Sequence, residues 1–452
     1  MTTPIFPSVI GHNLLDGGTD AQDGNSYPGP MLQEFAAAVV GAGAGFAGSS
    51  DYTLYFAGDS LAASNWVTTG NTFTNFAAEG QMNWANAMLG APFRVLGSTA
   101  VGGKTAAKVR SEQLPVIVGL ATKPSHVFLN CGVNDIYAAG RSATDTLTDI
   151  TFIVSSLLSA GIVPIYSTVM ARSYSSAALL TAHLALNDGL RRFAQDNPGG
   201  IFWDAFQVTV DPTSTQCAGR SGWYYDSAPN LHLNNVGAYY VGKKLAAVLR
   251  PLIRQAAVLP AGDENFTNGG SFNLLDNPML LGTAVAPSTG GTGNGPAGFV
   301  IQRAAGTPTW TTTMVDVTDP DTGLVVGKGI QLAITAGAAN DEIQIISSNF
   351  ASRMAAGRTY EAECRVSLAS PVNVDRVRLR ANCDSGSGES AWCLTGTQTL
   401  GNVPEAFGPL TLRTRQMSPL STLITGQFDC RIRFSAAGSA TFTVSAPRLR
   451  QL

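Results

Sequence analysis

Between residues 52 and 257, short apolar runs alternate with stretches of helical periodicity, and this alternation constrains the fold more than any other feature. "YTLYFAG" (52–58), "FRVLGS" (93–98), "HVFLNCG" (126–132), "IVPIYSTV" (162–169) and "IFWDAF" (201–206) read as strands. Ile150, Ile153, Val154, Leu157 and Leu158 recur at helical spacing until Gly161 ends the run. A longer helix is predicted over 175–196, closed by Asn197-Pro198-Gly199-Gly200, and a last one over 234–256. Short apolar strands joined by helices form a parallel sheet covered on both faces.

The pattern then changes. Pro, Gly and Asn cluster over 259–271, which reads as a linker. From 272 to 452, segments such as "GIQLAITA", "EIQIISS", "RTYEAECRVSLA", "DRVRLRANC", "DCRIRFSA" and "ATFTVSAPRLRQ" alternate apolar and polar residues. That period of two predicts an antiparallel β-sandwich with one wet face per sheet. Residues 1–50 read as an N-terminal extension with one weak helix near 31–40, and 51–258 as the α/β domain. "NLLD" recurs at 13–16 and 273–276, a match short enough for coincidence.

Composition narrows the function classes. Of 452 residues only 13% are charged, about half the usual share. The net charge is −3 and basic runs are absent, which argues against a nucleic-acid partner. The apolar stretch 34–48 is too short and Gly-rich to span a membrane. No Lys or Arg precedes Arg94, so no secretory signal is expected. Of six cysteines, Cys131 and Cys217 lie early and Cys364, Cys383, Cys393 and Cys430 late. The late four could pair in three ways, and a Cys383–Cys393 bridge would close "DSGSGESAW"; free thiols are the alternative. No CxxC pair occurs, so zinc is not expected; no other cofactor is expected either. Asp316, Asp319 and Asp321 in "DVTDPDTG" fit turn chemistry better than a calcium loop.

Two GxGxxG matches, at 43–48 and 293–298, lack the strand-then-helix context of a dinucleotide site. Ser60, in "GDSLAAS", is different. It follows the first buried strand, where an open parallel sheet presents its ligand crevice. Either Ser60 is a nucleophile, or Ser60 or Asp59 only caps a helix. Three further segments bear on the choice. Gly102-Gly103 follows the second strand, where glycine lets a backbone N–H approach a ligand. Asn134 follows the third strand and carries a two-hydrogen amide donor. His232 precedes the final helix. A nucleophile, oxyanion donors and a base are the parts of an acyl-transfer site.

These segments resemble the blocks of the SGNH, or GDSL, hydrolase family. Gly58-Asp59-Ser60-Leu61 matches the block that carries the nucleophile, and Gly103 fits the glycine of the second. Gly132-Val133-Asn134-Asp135 matches the third block, and His232 fits the base of the last. The resemblance covers about 52–257 and implies a three-layer, flavodoxin-like α/β domain there, ahead of the all-β sandwich that the alternation predicts. It also implies catalysis by Ser60 and His232, with an oxyanion hole from the Ser60 N–H, the Gly103 N–H and Asn134. The family places its acid three residues before the histidine, where this chain has Pro229. Asp226 is the nearest acid; otherwise a backbone carbonyl orients His232. Asp204 and Asp135 read as loop braces, and His12, His126 and His183 as structural.

The C-terminal part resembles carbohydrate-binding jelly rolls through "NLLDNPMLLGT" and "AAGRTYEAECRVSL". Trp310 and Trp392 could stack on sugar rings or pack in the core. The expected function is therefore a serine esterase that removes O-acetyl groups from a polysaccharide. The expected setting is extracellular, as part of a phage tail or as a secreted bacterial enzyme. The alternatives are a short-chain esterase or lipase, and a glycan-binding adhesion protein with a weak hydrolase scaffold.

Overall fold

In the computed structural model the described residues are 52–68, 74–174, 176–226, 231–254, 273–283, 285–319, 322–396, 401–419 and 421–452. The N-terminal extension, the linker, Pro229, Asp321 and the first "NLLD" lie outside them.

The predicted α/β alternation forms one five-stranded parallel sheet. Its strands are β1 (Tyr52–Gly58), β4 (Phe93–Ser98), β5 (His126–Asn130), β6 (Val163–Ser167) and β7 (Ile201–Trp203). They lie in the order β4-β1-β5-β6-β7, the flavodoxin-like order. That order has a switch point at β1, whose neighbours continue the chain in opposite directions. A ligand crevice is expected there, beyond the carboxyl ends of the strands. Strands β2 (Trp66–Thr68) and β3 (Thr74–Phe76) pair separately as a hairpin.

Helix α1 (Ser60–Ala63) follows β1 directly. Helix α2 (Gln81–Met88), which the sequence pattern did not reveal, buries Met82 and Trp84. After β4 come α3 (Ala106–Lys108), a π-helical turn (Val109–Gln113) and α4 (Leu114–Val118). Helix α5 (Val133–Tyr137) follows β5. Helix α6 (Ala143–Ser159) buries Ile150, Ile153, Val154 and Leu157, the face its periodicity predicts. Helices α7 (Ala177–Asp196) and α9 (Asn235–Leu249) begin at Ser176 and Asn234, each accepting a backbone N–H as a cap. The short α8 (Ala205–Thr209) follows β7. Helix α9 stops at Leu249 rather than running to 256, because Pro251 bars continuation.

Among the described residues the C-terminal part is built of strands, as predicted, with one 3₁₀ turn (Ala351–Arg353). It comprises β8 (Gly291–Thr292), β9 (Phe299–Ala305), β10 (Thr309–Thr318), β11 (Val325–Ala336), β12 (Glu342–Ser347), β13 (Tyr360–Asp384), β14 (Ser390–Cys393), β15 (Phe407–Arg413) and β16 (Thr425–Gln451). Strands β13 and β16 each merge two segments that read as separate strands. The break at "SPVNV" is a bend: Ser370 and Asn373 take positive φ, and the pairing with β16 shifts register there. The bend also switches the inward parity. Ala362, Cys364, Val366 and Leu368 face the core before it, and Val377, Leu379, Ala381 and Cys383 after it. One half of β16 pairs with β12 and the other with β11, so the long strands carry the sheet round a single core.

All six cysteines are free. Register explains why Cys383 and Cys393 do not bridge. Cys393 lies opposite Leu379. Cys383 is therefore about 13 Å farther along β13, beyond the roughly 7 Å a disulfide spans. The expected wet face is also partly covered. Glu361, Glu363 and Asp429 are fully buried among arginines, and Arg94 of β4 reaches Glu361.

Candidate active site

Ser60 owes its position to the end of β1. Gly58 sits at φ +131°, and a Cβ there would come within 1.9 Å of the Asn130 carbonyl oxygen. Only glycine fits this close approach. The buried Gln113 side chain pairs with Gly58 like a strand neighbour, accepting from its N–H and donating to its carbonyl, both at 2.8 Å. The chain then turns into α1. Asp59, not Ser60, is the helix cap: its Oδ1 accepts the Leu61 N–H at 2.9 Å. The Ser60 hydroxyl is left for another partner.

That partner is His232, whose Nε2 lies 2.9 Å from Ser60 Oγ. On the other side of the ring, Nδ1 lies 3.1 Å from Asp226 Oδ2. Asp226 Oδ1 accepts the N–H groups of Leu231 and His232 at 3.0 and 3.1 Å. The carboxylate is thus oriented by the backbone of the segment that carries the histidine. Tyr225 stacks on His232 with ring centroids 5.5 Å apart and planes 12° from parallel.

The Gly102–Gly103 turn borders Ser60: a Cβ on Gly102 would lie 3.7 Å from the serine Cβ. Gly103 takes φ +78°, with open space where a side chain would stand. Asn134 lies in α5, and its Nδ2 donates to the Lys104 carbonyl at 3.1 Å, tying the two loops together. Asp135 fastens the same pair of loops, accepting the Ala106 N–H at 2.7 Å and pairing with Arg141. Asp204 caps α8 and binds Thr168 and Arg191. Both aspartates are braces, away from His232.

Burial sets the local electrostatics. Asp59 is fully enclosed, and desolvation pushes its pKa up to about 7, with Asp135 adding repulsion. Burial lowers His126 and His183 to about 4. Neither joins the site: His126 bonds Ser125 at the far end of β5, and His183 bonds the Val169 carbonyl.

For Trp310 and Trp392 the sequence allows either sugar stacking or core packing. Trp310 is 3% exposed inside the sandwich, so it offers no open face. Trp392 is half-buried under the guanidiniums of Arg378, Arg380 and Arg431, 4.5–5.2 Å from its ring centroid. Asp316 pairs with Lys328 across the hairpin. Among the described residues, no cluster of three or more His, Cys, Asp or Glu side chains could hold a metal. Sequence reasoning missed Gln113 and Tyr225. A glutamine in an amphipathic stretch carries no signal, but an aromatic beside Asp226 was a visible hint.

The GDSL-like lipase/acylhydrolase family model matches residues 56–239. This stretch is a GDSL-like acylhydrolase domain. The family acts on esters, and the matched segment includes Ser60, Gly103, Asn134, Asp226 and His232. No protein of curated function matches the chain by sequence. Similar solved structures include a member of the G-D-S-L lipolytic family from Veillonella parvula, at 18% identity, covering 44% of this chain and 97% of its own, with a TM-score of 0.34. A psychrotrophic esterase from Pseudoalteromonas sp. is 13% identical over 44% of this chain and 97% of its own, with a TM-score of 0.33. An aryl esterase from M. smegmatis is 17% identical over 44% and 99%, with a TM-score of 0.32.

Proposed function

We propose that the protein is a serine esterase in which Ser60 is the nucleophile, His232 the general base and Asp226 the acid that orients it. The observation that carries this reading is the continuous chain Ser60 Oγ–His232 Nε2 at 2.9 Å and Nδ1–Asp226 Oδ2 at 3.1 Å. With Nδ1–H donating to Asp226, the Nε2 lone pair faces the serine hydroxyl. As Oγ attacks the ester carbonyl, its proton passes to Nε2 and the imidazolium is held by Asp226. The carbonyl oxygen becomes an oxyanion between the Ser60 N–H, the Gly103 N–H and Asn134 Nδ2. Collapse expels the alcohol, which takes the proton from Nε2. Water then adds to the acyl-enzyme by the same route, releasing the acid and restoring Ser60.

We extend the proposal to an O-acetylated polysaccharide, met outside the cell by a phage tail or a secreted enzyme. Support for a glycan comes from the appended β-domain, not from its tryptophans. No helix among the described residues is long and apolar enough to cross a membrane.

Hydrolysis of p-nitrophenyl acetate tests the reaction class. Ser60→Ala is expected to lower kcat/KM at least about a thousandfold. Equal rates would remove the esterase reading. Acetate release from a panel of acetylated glycans tests the substrate.

A further inference from the structure

Arg172 is a buried cation beside the proposed catalytic groups, and the reaction scheme above does not use it. It lies just past the carboxyl end of β6, on the crevice side of the sheet. The preceding carbonyl, of Ala171, accepts the Tyr224 hydroxyl at 2.8 Å, which ties this segment to the loop carrying Tyr225 and Asp226. Its guanidinium stacks on Tyr137, 3.3 Å from the ring centroid. Tyr137 stands one helical turn beyond Asn134 on α5, so the two share a face. Arg172 also feels the charge of Asp226. It thus packs on the helix that carries Asn134 and next to a segment tied to the loop that carries Asp226.

The residue is only 6% exposed. Its Nε is buried without an acceptor, and the guanidinium forms no hydrogen bond or ion pair with a described residue. Asp226 forms no ion pair with it; its carboxylate instead bonds Leu231 and His232. The stack on Tyr137 offsets part of the desolvation cost, but the five N–H donors of a guanidinium want oxygen acceptors. Burial lowers the pKa of Arg172, yet an arginine remains charged in the working range. Tyr174, two residues on and placed against Tyr137, also buries a hydroxyl whose proton has no acceptor among the described residues. An unpaired buried cation is costly when nothing binds it. The planar fork of an unsatisfied guanidinium fits the two-oxygen geometry of a carboxylate.

We propose that Arg172 is a specificity-determining residue that receives a carboxylate carried by the ester substrate. The inference rests on the esterase reading for its context and deepens it: the substrate is an acidic ester. The carboxylate belongs either to the acyl group, as in a dicarboxylic half-ester, or to the alcohol, as in an acetylated uronic acid.

Binding, measured apart from turnover, tests this. Ser60→Ala protein is titrated by calorimetry with 4-nitrophenyl hydrogen succinate against 4-nitrophenyl butyrate, for the acyl side. An acetylated methyl galacturonoside against the acetylated methyl galactoside covers the alcohol side. At least one carboxylate ester is expected to bind about tenfold or more tightly than its neutral counterpart. Adding Arg172→Met is expected to bring that pair to within about twofold, with Arg172→Lys intermediate because it keeps the charge but loses the fork. The neutral esters report whether each variant still forms the crevice. The proposal is overturned if neither carboxylate ester is preferred, or if the preference survives both substitutions. A wild-type protein that hydrolyses none of the four esters would instead refute the esterase reading, and the binding ratios would still judge Arg172.

Discussion

Asp226→Asn separates a working triad from a serine and histidine that are merely adjacent. Asp226 Oδ1 accepts two backbone N–H groups, from Leu231 and His232. In the asparagine variant that position must hold the amide oxygen, because an NH₂ there would face two donors. The NH₂ is therefore forced toward His232 Nδ1, where Oδ2 stood at 3.1 Å. It donates, so Nδ1 must be unprotonated and the ring proton moves to Nε2. Nε2–H then donates to Ser60 Oγ and cannot accept its proton. The packing is unchanged, yet the base is gone. The expected loss in kcat/KM is about 10³–10⁴-fold, or about 4–5.5 kcal/mol of transition-state stabilisation. Asp226→Ala should cost less, since the imidazole can still choose its tautomer with water behind it. The assay is p-nitrophenyl acetate hydrolysis, with thermal melts to confirm folding. An asparagine variant within tenfold of wild type would mean that Asp226 does not orient His232, and a backbone carbonyl would replace it in the mechanism.

Three more outcomes follow from the same geometry. Asn134→Ala removes one oxyanion donor and should lower kcat about 10²–10³-fold with little change in KM; a kcat within threefold of wild type would remove Asn134 from the oxyanion hole. Gly58→Ala places a methyl 1.9 Å from the Asn130 oxygen at φ +131°, and strain plus overpacking should cost at least about 3 kcal/mol; an unchanged melting temperature would contradict so close an approach of the two strands. Asp59 has its pKa raised by burial to about 7 in the fold against an unfolded 3.8. The folded state therefore holds the proton more tightly, and stability falls as pH rises from about 4 to 7, by about 4 kcal/mol in all. Asp59→Asn keeps the cap and lacks the charge, so its advantage over wild type in urea unfolding should grow between pH 4.5 and pH 8. An equal difference at both pH values would refute the raised pKa.

Much of the site was legible because each part sits at a local feature. Ser60 follows a strand that must end in glycine, Gly103 lies in a two-glycine turn, and Asn134 opens a helix after β5. Parallel strands then bring these turns to one edge without further information. The choice between nucleophile and cap was not local. Asp59 takes the capping bond and leaves the Ser60 hydroxyl to His232, an outcome that depends on one torsion that the pattern "GDSL" leaves open. Gln113 was invisible for a similar reason: its partner is the backbone of Gly58, far away in sequence, and backbone groups carry no sequence signal.

The C-terminal part was legible only in its period. Alternation predicts which residues share a face, not what covers that face. In β10, Trp310 shares its parity with Thr312 and Met314, and Thr312 is as buried as the tryptophan. Two threonines beside a lone tryptophan look like an exposed strand, so the pattern leaves stacking and core packing both open. In β13 the same rule puts Arg376, Arg378 and Arg380 on the face away from Leu379 and Ala381. That face meets Trp392, which pairs with Arg380 across the ladder. The tryptophan is therefore engaged by arginines whose own carboxylate partners, Glu342 and Asp429, come from other strands. A charged residue on a predicted wet face is as consistent with a buried ion network as with solvent, and only the strand order distinguishes them. The same ambiguity hid Arg172, which reads in the sequence as one more polar loop residue. Its meaning comes from what surrounds it: a Tyr137 ring, an occupied Asp226, and no acceptor of its own among the described residues.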